Sequence, residues 1–325
     1  MGHIARCVRL AEFLHGRYPC DIRFLTFTPE YFNNFKKQTC KFSEIIGFTD
    51  SDKLLEYITE SNPHILMTDA QLGNTIDAYI RVVEKLRYHI TLVESHFNHF
   101  PFGLVVFPAM FPVVPKCACE TRAEYLIGAK YLLIDPSLSK IQKPDFAGKD
   151  KLDILVTPGG ADPANVTEKI IEHIKSNINP DLNFKIILGP AKPEKDAIKK
   201  SAEDCHSITF DDSPESLTDL MISSDIVITS GGTTAYESIA ASRPTWVIPQ
   251  IEFEKTVGDY LLKKGAILGI GFENLQSDLI DKLVDIRKNP HMFDSTIKSG
   301  KKLIDAQGIP RLSDRIVKAL DSMTA

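Results

Sequence analysis

An excess of positive charge is the first thing this sequence lacks. Lys and Arg number 38 against 43 Asp and Glu, a formal net charge of -5. That balance provides no broad basic field for nucleic-acid phosphates, so nucleic acid is not an expected partner. The local run Lys298, Lys301, Lys302 reads as a solvated helix face. Cysteine is sparse and scattered, at Cys7, Cys20, Cys40, Cys117, Cys119 and Cys205. The one close pair, Cys117-Ala118-Cys119, lacks the second pair that a zinc site requires, so no metal is expected. Unpaired thiols in a chain of this size fit a cytoplasmic protein. No charged segment followed by an apolar stretch opens the chain, so no secretion signal is expected. Long hydrophobic runs are absent too. Phe100–Val114 is apolar but is broken by Pro101, Pro108 and Pro112, and it is too short to span a bilayer. It reads as buried strand plus loop, with peripheral membrane or partner contact as the alternative.

What is present is an ordinary globular composition, 43% hydrophobic and 25% charged, in 325 residues. That length exceeds one compact core and suits two domains. Short apolar runs alternate with amphipathic stretches, the pattern of βαβ units and parallel sheets, hence an α/β fold. In the first half, strands are expected at Ile22–Thr26, Ile65–Thr68, Ile90–Glu94, Leu104–Phe107 and Tyr131–Ile134. Helices are expected at Ala5–His15, Ser51–Ser61 and Thr75–Arg87. The polar segment Ser139–Lys151 marks a linker, which divides the chain into residues 1–140 and 141–325. The second half restarts with strands at Asp153–Thr157, Phe184–Leu188, Ser207–Phe210, Ile226–Ser230 and Thr245–Ile248. A chain of this type is expected to open with a strand, yet Met1-Gly2-His3 leads straight into a helix. Either the sequence begins late or the sheet does without that strand.

Two loops carry chemistry. Thr157-Pro158-Gly159-Gly160-Ala161-Asp162 and Thr229-Ser230-Gly231-Gly232-Thr233-Thr234 each lie between an expected strand and an expected helix. Glycine lets a phosphate approach the main chain, and the helix start adds unpaired N–H donors and the positive end of its dipole. Thr233 and Thr234 are candidate caps and hydroxyl donors. The plain alternative is that each Gly-Gly only makes a tight βα turn. Neither loop has the lysine of a Walker A or the spacing G-x-G-x-x-G, which argues against ATP hydrolysis and NAD. Glu237, one turn into the second helix, is within reach of a ribose whose phosphates lie at the helix start. Thr234-x-x-Glu237 also fits a capping box, and both readings stand.

The segment Ser224–Glu237, with Pro244 and Pro249 beyond, resembles the donor-binding half of the GT-B nucleotide-sugar enzymes. More narrowly, the chain resembles the UDP-sugar hydrolases of pseudaminic acid biosynthesis and their spore-coat-polysaccharide relatives. Gly2-His3-Ile4-Ala5-Arg6-Cys7, Glu124–Leu133, Gly159-Gly160-Ala161-Asp162-Pro163 and Leu303–Gly308 each resemble a family segment, in family order. The resemblance implies a GT-B-like fold of two Rossmann-like domains whose parallel sheets face a central cleft. It implies a UDP-sugar as substrate, no cofactor and no metal. Gly159, Gly160, Ser230, Gly231, Gly232, Thr233, Thr234 and Glu237 would hold the nucleoside diphosphate. His3 would be the base that activates water at the anomeric carbon, a role that suits imidazole near neutral pH. Arg6 would orient His3 or face the sugar. Where that family has an Asn-Gln pair this chain has Phe253-Glu254, and an acidic pair is replaced within Val93–His99. His96, His99 and Glu254 are therefore sugar-side candidates, with the two histidines equally readable as surface residues. The expected activity is hydrolysis of a UDP-linked amino or deoxy sugar. A GT-B glycosyltransferase and a non-catalytic sugar-nucleotide-binding subunit are the alternatives, and the oligomeric state is left open.

Overall fold

The computed structural model describes residues 2–30, 43–69, 76–86, 88–92, 103–108, 110, 123–212, 214, 216–284, 286 and 289–324. They divide into two compact units, Met1–Pro136 with Gln307–Ala325, and Ser137–Ala306. This differs from the expected boundary at 140 and 141 chiefly at the C-terminus, which packs on the first unit.

In unit 1 the elements run α1 (Gly2–His15), β1 (Ile22–Thr26), β2 (Ser43–Gly47), α2 (Ser51–Ser61), β3 (Leu66–Thr68), α3 (Ile76–Val83), β4 (His89–Leu92), β5 (Leu104–Phe107) and β6 (Glu124–Ile127). Strands β1 and β2 form one parallel ladder; β3, β4, β5 and β6 form a second, in that order. Among the described residues no strand joins the two ladders, and α1 begins at Gly2. The four-stranded sheet is covered on both faces, which explains why every residue of β4 and β5 is buried and why β5 is apolar without alternation. Leu104 and Val106 meet Leu10 of α1, while Val105 and Phe107 meet Ile58 of α2 and Tyr79 and Val83 of α3. The expected strand at Tyr131–Ile134 is instead a short 3-10 turn, Ala129–Tyr131, followed by buried Leu132, Leu133 and Ile134. These residues are apolar because they are buried, and burial alone does not make a ladder.

In unit 2 the order is β7 (Leu152–Thr157), α4 (Val166–Ser176), β8 (Leu182–Ile187), α5 (Lys195–Ser201), β9 (Ile208–Asp211), α6 (Leu217–Ser223), β10 (Ile226–Thr229), α7 (Thr233–Ala240), β11 (Thr245–Val247), α8 (Glu252–Lys263) and β12 (Gly269–Ile270). A π-helical turn, Leu275–Ile280, and α9 (Asp281–Val284) lead to α10 (Asp294–Leu303). The last helix, α11 (Gly308–Thr324), belongs to unit 1. The six parallel strands are ordered β12-β11-β10-β7-β8-β9. That is the doubly wound order, in which successive strands run outward on either side of the first. The order reverses between β7 and β10, and crevices at such a reversal, beyond the carboxyl ends of the strands, are where these sheets bind ligands.

Candidate functional site

Both glycine loops leave the sheet at that reversal. Strands β7 and β10 are paired, with Thr157 opposite Thr229, and the Thr229 hydroxyl donates to the Thr157 carbonyl at 2.8 Å. The loops therefore emerge side by side. Gly159 has φ +113°, a left-handed conformation that a side chain would strain, and a Cβ there would lie 3.7 Å from Ser230 Oγ. Beyond Ser230 the chain turns through Gly231 and Gly232 into α7. The cap residue of α7 is Gly232, and no side chain caps the helix. The capping-box reading of Thr234 and Glu237 is thus not what the structure adopts. Glu237 is buried in the first turns of α7, while Thr233 and Thr234 are partly exposed at its start. A helix start without a side-chain cap, placed at a sheet reversal, has the geometry to receive an anionic group.

The first loop differs in one respect from its expected role. Asp162, buried to 2% exposure, accepts from Val166 N at 2.8 Å and from Thr167 N at 3.0 Å, so its carboxylate caps α4. Lys192 Nζ lies 3.1 Å from the same carboxylate, 2.9 Å from Glu168 Oε2 and 3.0 Å from Asn165 Oδ1. The start of α4 already holds an internal anion. Gly159 and Gly160 flank the second loop, and the amides of Val166 and Thr167 are not offered to a phosphate.

Two residues after β11 complete this region. Gln250 Nε2 donates to the Pro158 carbonyl, and its Oε1 accepts from Ala164 N at 3.2 Å. Gln250 N donates to Glu254 Oε2 at 2.8 Å. Glu254 sits against the second glycine loop: a Cβ on Gly231 would lie 2.6 Å from the Glu254 carbonyl oxygen, and one on Gly232 would lie 3.7 Å from Glu254 Oε1. The structure therefore places Glu254 at the expected phosphate loop. Gln250 carried no motif in the sequence; its position just past a strand end was the only signal available.

Unit 1 gathers a second cluster at the end of β3. His3 Nδ1 lies 2.7 Å from Asp69 Oδ1, and Arg6 Nε donates to Asp69 Oδ2 at 2.6 Å. Arg6 Nη2 donates to Oδ1 of the same carboxylate, and the Cys7 thiol donates to Oδ2 at 3.3 Å. Burial alone would raise the Asp69 carboxyl, but the bonds and charges of Arg6 and His3 prevail and lower it to about 2. Burial, then the Asp69 charge, push the Cys7 thiol well up, so it stays protonated as a donor. The His3 side chain is 49% exposed and Asp69 is 5% exposed. Beneath them, the preceding Thr68 shares a buried network with Tyr79 and His89, and burial lowers His89 to about 4, leaving it neutral. Asp69 was not a candidate in the sequence, although it follows a strand directly.

His96 and His99 lie outside the described residues. Of Phe100–Val114, Leu104–Phe107 form buried β5 and Met110 is buried, so these residues are not available for peripheral contact. Among the described residues no helix is long and apolar enough to cross a membrane.

No known family profile matches the chain. It is 24% identical to the spore coat polysaccharide biosynthesis protein SpsG of Bacillus subtilis, over 96% of this chain and 93% of SpsG. It is 26% identical to an uncharacterised protein of Methanocaldococcus jannaschii over 81% of this chain; the match spans 56% of that longer relative. It is also 26% identical to the UDP-N-acetylglucosamine–N-acetylmuramyl-(pentapeptide) pyrophosphoryl-undecaprenol N-acetylglucosamine transferase of Clostridium botulinum, over 89% of this chain and 86% of that one. Among solved structures, MurG of Acinetobacter baumannii superposes with a TM-score of 0.65 at 14% identity, covering 98% of this chain and 96% of that one. Anabaena HepE, solved with UDP-glucose, gives 0.59 at 13% identity, covering 99% and 96%. The fold is that of the GT-B glycosyltransferases.

Proposed function

We propose that this protein transfers a sugar from a UDP-sugar donor to an acceptor hydroxyl. The observation that carries this reading is the start of α7, free of any side-chain cap and set at the reversal of a doubly wound sheet. Ser230, Gly231, Gly232, Thr233 and Thr234 hold the diphosphate through main-chain amides and hydroxyls, flanked by Gly159 and Gly160. Glu237 takes the ribose. The amides and the helix dipole, rather than a metal ion, meet the negative charge that builds on the leaving diphosphate. His3 is the base: as the acceptor oxygen attacks the anomeric carbon, its proton passes to imidazole. The bond between that carbon and the diphosphate oxygen breaks, and UDP departs with the electron pair. The UDP-sugar chemistry named for the Clostridium relative and the UDP-glucose bound to HepE support the donor class.

Hydrolysis is the second reading, favoured by the Gly2-His3-x-x-Arg6-Cys7 segment and by its assembly around Asp69. There water takes the place of the acceptor hydroxyl and every other role is unchanged. Incubation with UDP-sugars separates the two. UDP release that requires an acceptor supports transfer; release in water alone supports hydrolysis; and either must vanish in His3→Ala and persist in EDTA. If the protein does not bind UDP, or if Gly232→Trp leaves binding intact, both readings fail.

A further inference from the structure

We infer that Asp69, braced by Arg6 and the Cys7 thiol, is a positioning residue that fixes His3 in its Nδ1–H tautomer and leaves Nε2 as the proton acceptor. The inference rests on the reading of His3 as the base, and adds what makes it one. The carboxylate is ionised and has no hydrogen to give, so the 2.7 Å contact between Asp69 Oδ1 and His3 Nδ1 needs a proton on the nitrogen. Arg6 Nη2 also lies 3.0 Å from Nδ1. A guanidinium is always protonated and cannot accept, so with Nδ1 committed to Asp69 that group's hydrogen goes to the carboxylate, as its approach to Oδ1 shows.

The remaining lone pairs of Asp69 are also assigned. Arg6 Nε and the Cys7 thiol both donate to Oδ2, so the carboxylate plane is held from two sides. His3, Arg6 and Cys7 all belong to α1, with Arg6 one turn beyond His3 and Cys7 beside it. One helix therefore presents three donors to one carboxylate at the end of β3, in a buried setting for the carboxylate and a half-exposed one for the imidazole. When Nε2 takes a proton from the nucleophile, the imidazolium charge forms beside an anion already in place. This is the logic of histidine–aspartate pairs in hydrolases, where loss of the carboxylate misplaces the tautomer.

The test uses the full chain with 15N-labelled histidine, His3 being assigned by comparison with His3→Gln. At a pH where the ring is neutral, the expected spectrum has Nδ1 protonated and Nε2 bare. Asp69→Asn should move His3 towards the Nε2–H form and lower kcat by roughly 10³–10⁴-fold, with KM changed little. Cys7→Ser, which keeps a donor to Oδ2, should retain the wild-type tautomer. A wild-type His3 carrying its proton on Nε2 overturns the inference. So does a folded Asp69→Asn protein with an unchanged tautomer. The wild-type spectrum decides the matter even if Asp69→Asn does not fold. An absence of UDP-sugar turnover in a protein showing the Nδ1–H tautomer would instead count against the proposed function alone.

Discussion

Gly231 has no room for a side chain, because the backbone of Glu254 fills the space where one would stand. A Cβ there would lie 2.6 Å from the Glu254 carbonyl oxygen and 2.9 Å from its Cα, and neither atom can swing away. Gly231→Ala should therefore displace the start of α8, costing about 1–3 kcal/mol and weakening UDP binding on the order of tenfold. Calorimetric titration together with a thermal melt checks this, and wild-type affinity in the variant would refute it. Glu254 poses a different residue-scale question, because its carboxylate lies beside a helix start assigned to another anion. Glu254→Gln keeps the shape and removes the charge, so UDP should bind roughly 2- to 5-fold tighter, the scale of one charge near a helix terminus. Weaker binding would mean that the carboxylate itself contacts the ligand favourably. Asp69 yields a pH prediction. Its carboxyl is lowered from 3.8 to about 2, so the stability it contributes is present above pH 3.8 and lost as pH falls through 2. That lowering corresponds to about 2 kcal/mol. The stability difference between wild type and Asp69→Asn, measured by urea unfolding, should shrink across that window and stay constant above it.

At the scale of elements, the first glycine loop shows how a motif and its surroundings divide the work. Val166–Ser176 was legible as a helix because Ile170, Ile171 and Ile174 recur on one face. Its cap was not legible, because Asp162 reaches the amides of Val166 and Thr167 across a turn that passes through left-handed residues at Asp162 and Asn165. Nor could the sequence pair Asp162 with Lys192, thirty residues on, as a buried ion pair. Removing one partner of such a pair strands the other charge. Lys192→Met should thus destabilise unit 2 by about 3–5 kcal/mol in urea unfolding, and a loss below 1 kcal/mol would show that the carboxylate is held by its helix amides alone. The strands of unit 1 that escaped the sequence were weak for physical reasons. β2 is a five-residue strand with no fully buried residue among those described, and β6 buries only Leu126, so neither carries a strong apolar run.

For the whole molecule, the alternation of strand and helix made the α/β class and the parallel sheets readable, and five strands of the six-stranded sheet fall where it places them, the two-residue edge strand β12 being the exception. The partnership of the last helix was not readable. Its amphipathic face, with Ile309, Leu312 and Ile316, would serve any open sheet equally well. Sequence distance gives no hint that these side chains close the core around Leu10, Ile90 and Leu104. The chain thus leaves unit 1 at Pro136 and returns at Gln307, so unit 1 is finished by residues that follow unit 2 in sequence. A defect in α11 should therefore be felt beside His3 and Asp69, not in the glycine loops. Leu312 is fully buried, and Leu312→Ala should cost about 2–5 kcal/mol. Hydrogen exchange should register that loss in the amides of β4 and β5, while β7 and β10 keep their protection. Equal loss of protection in β7 and β10 would mean that the two units unfold as one, and that α11 stabilises the whole chain.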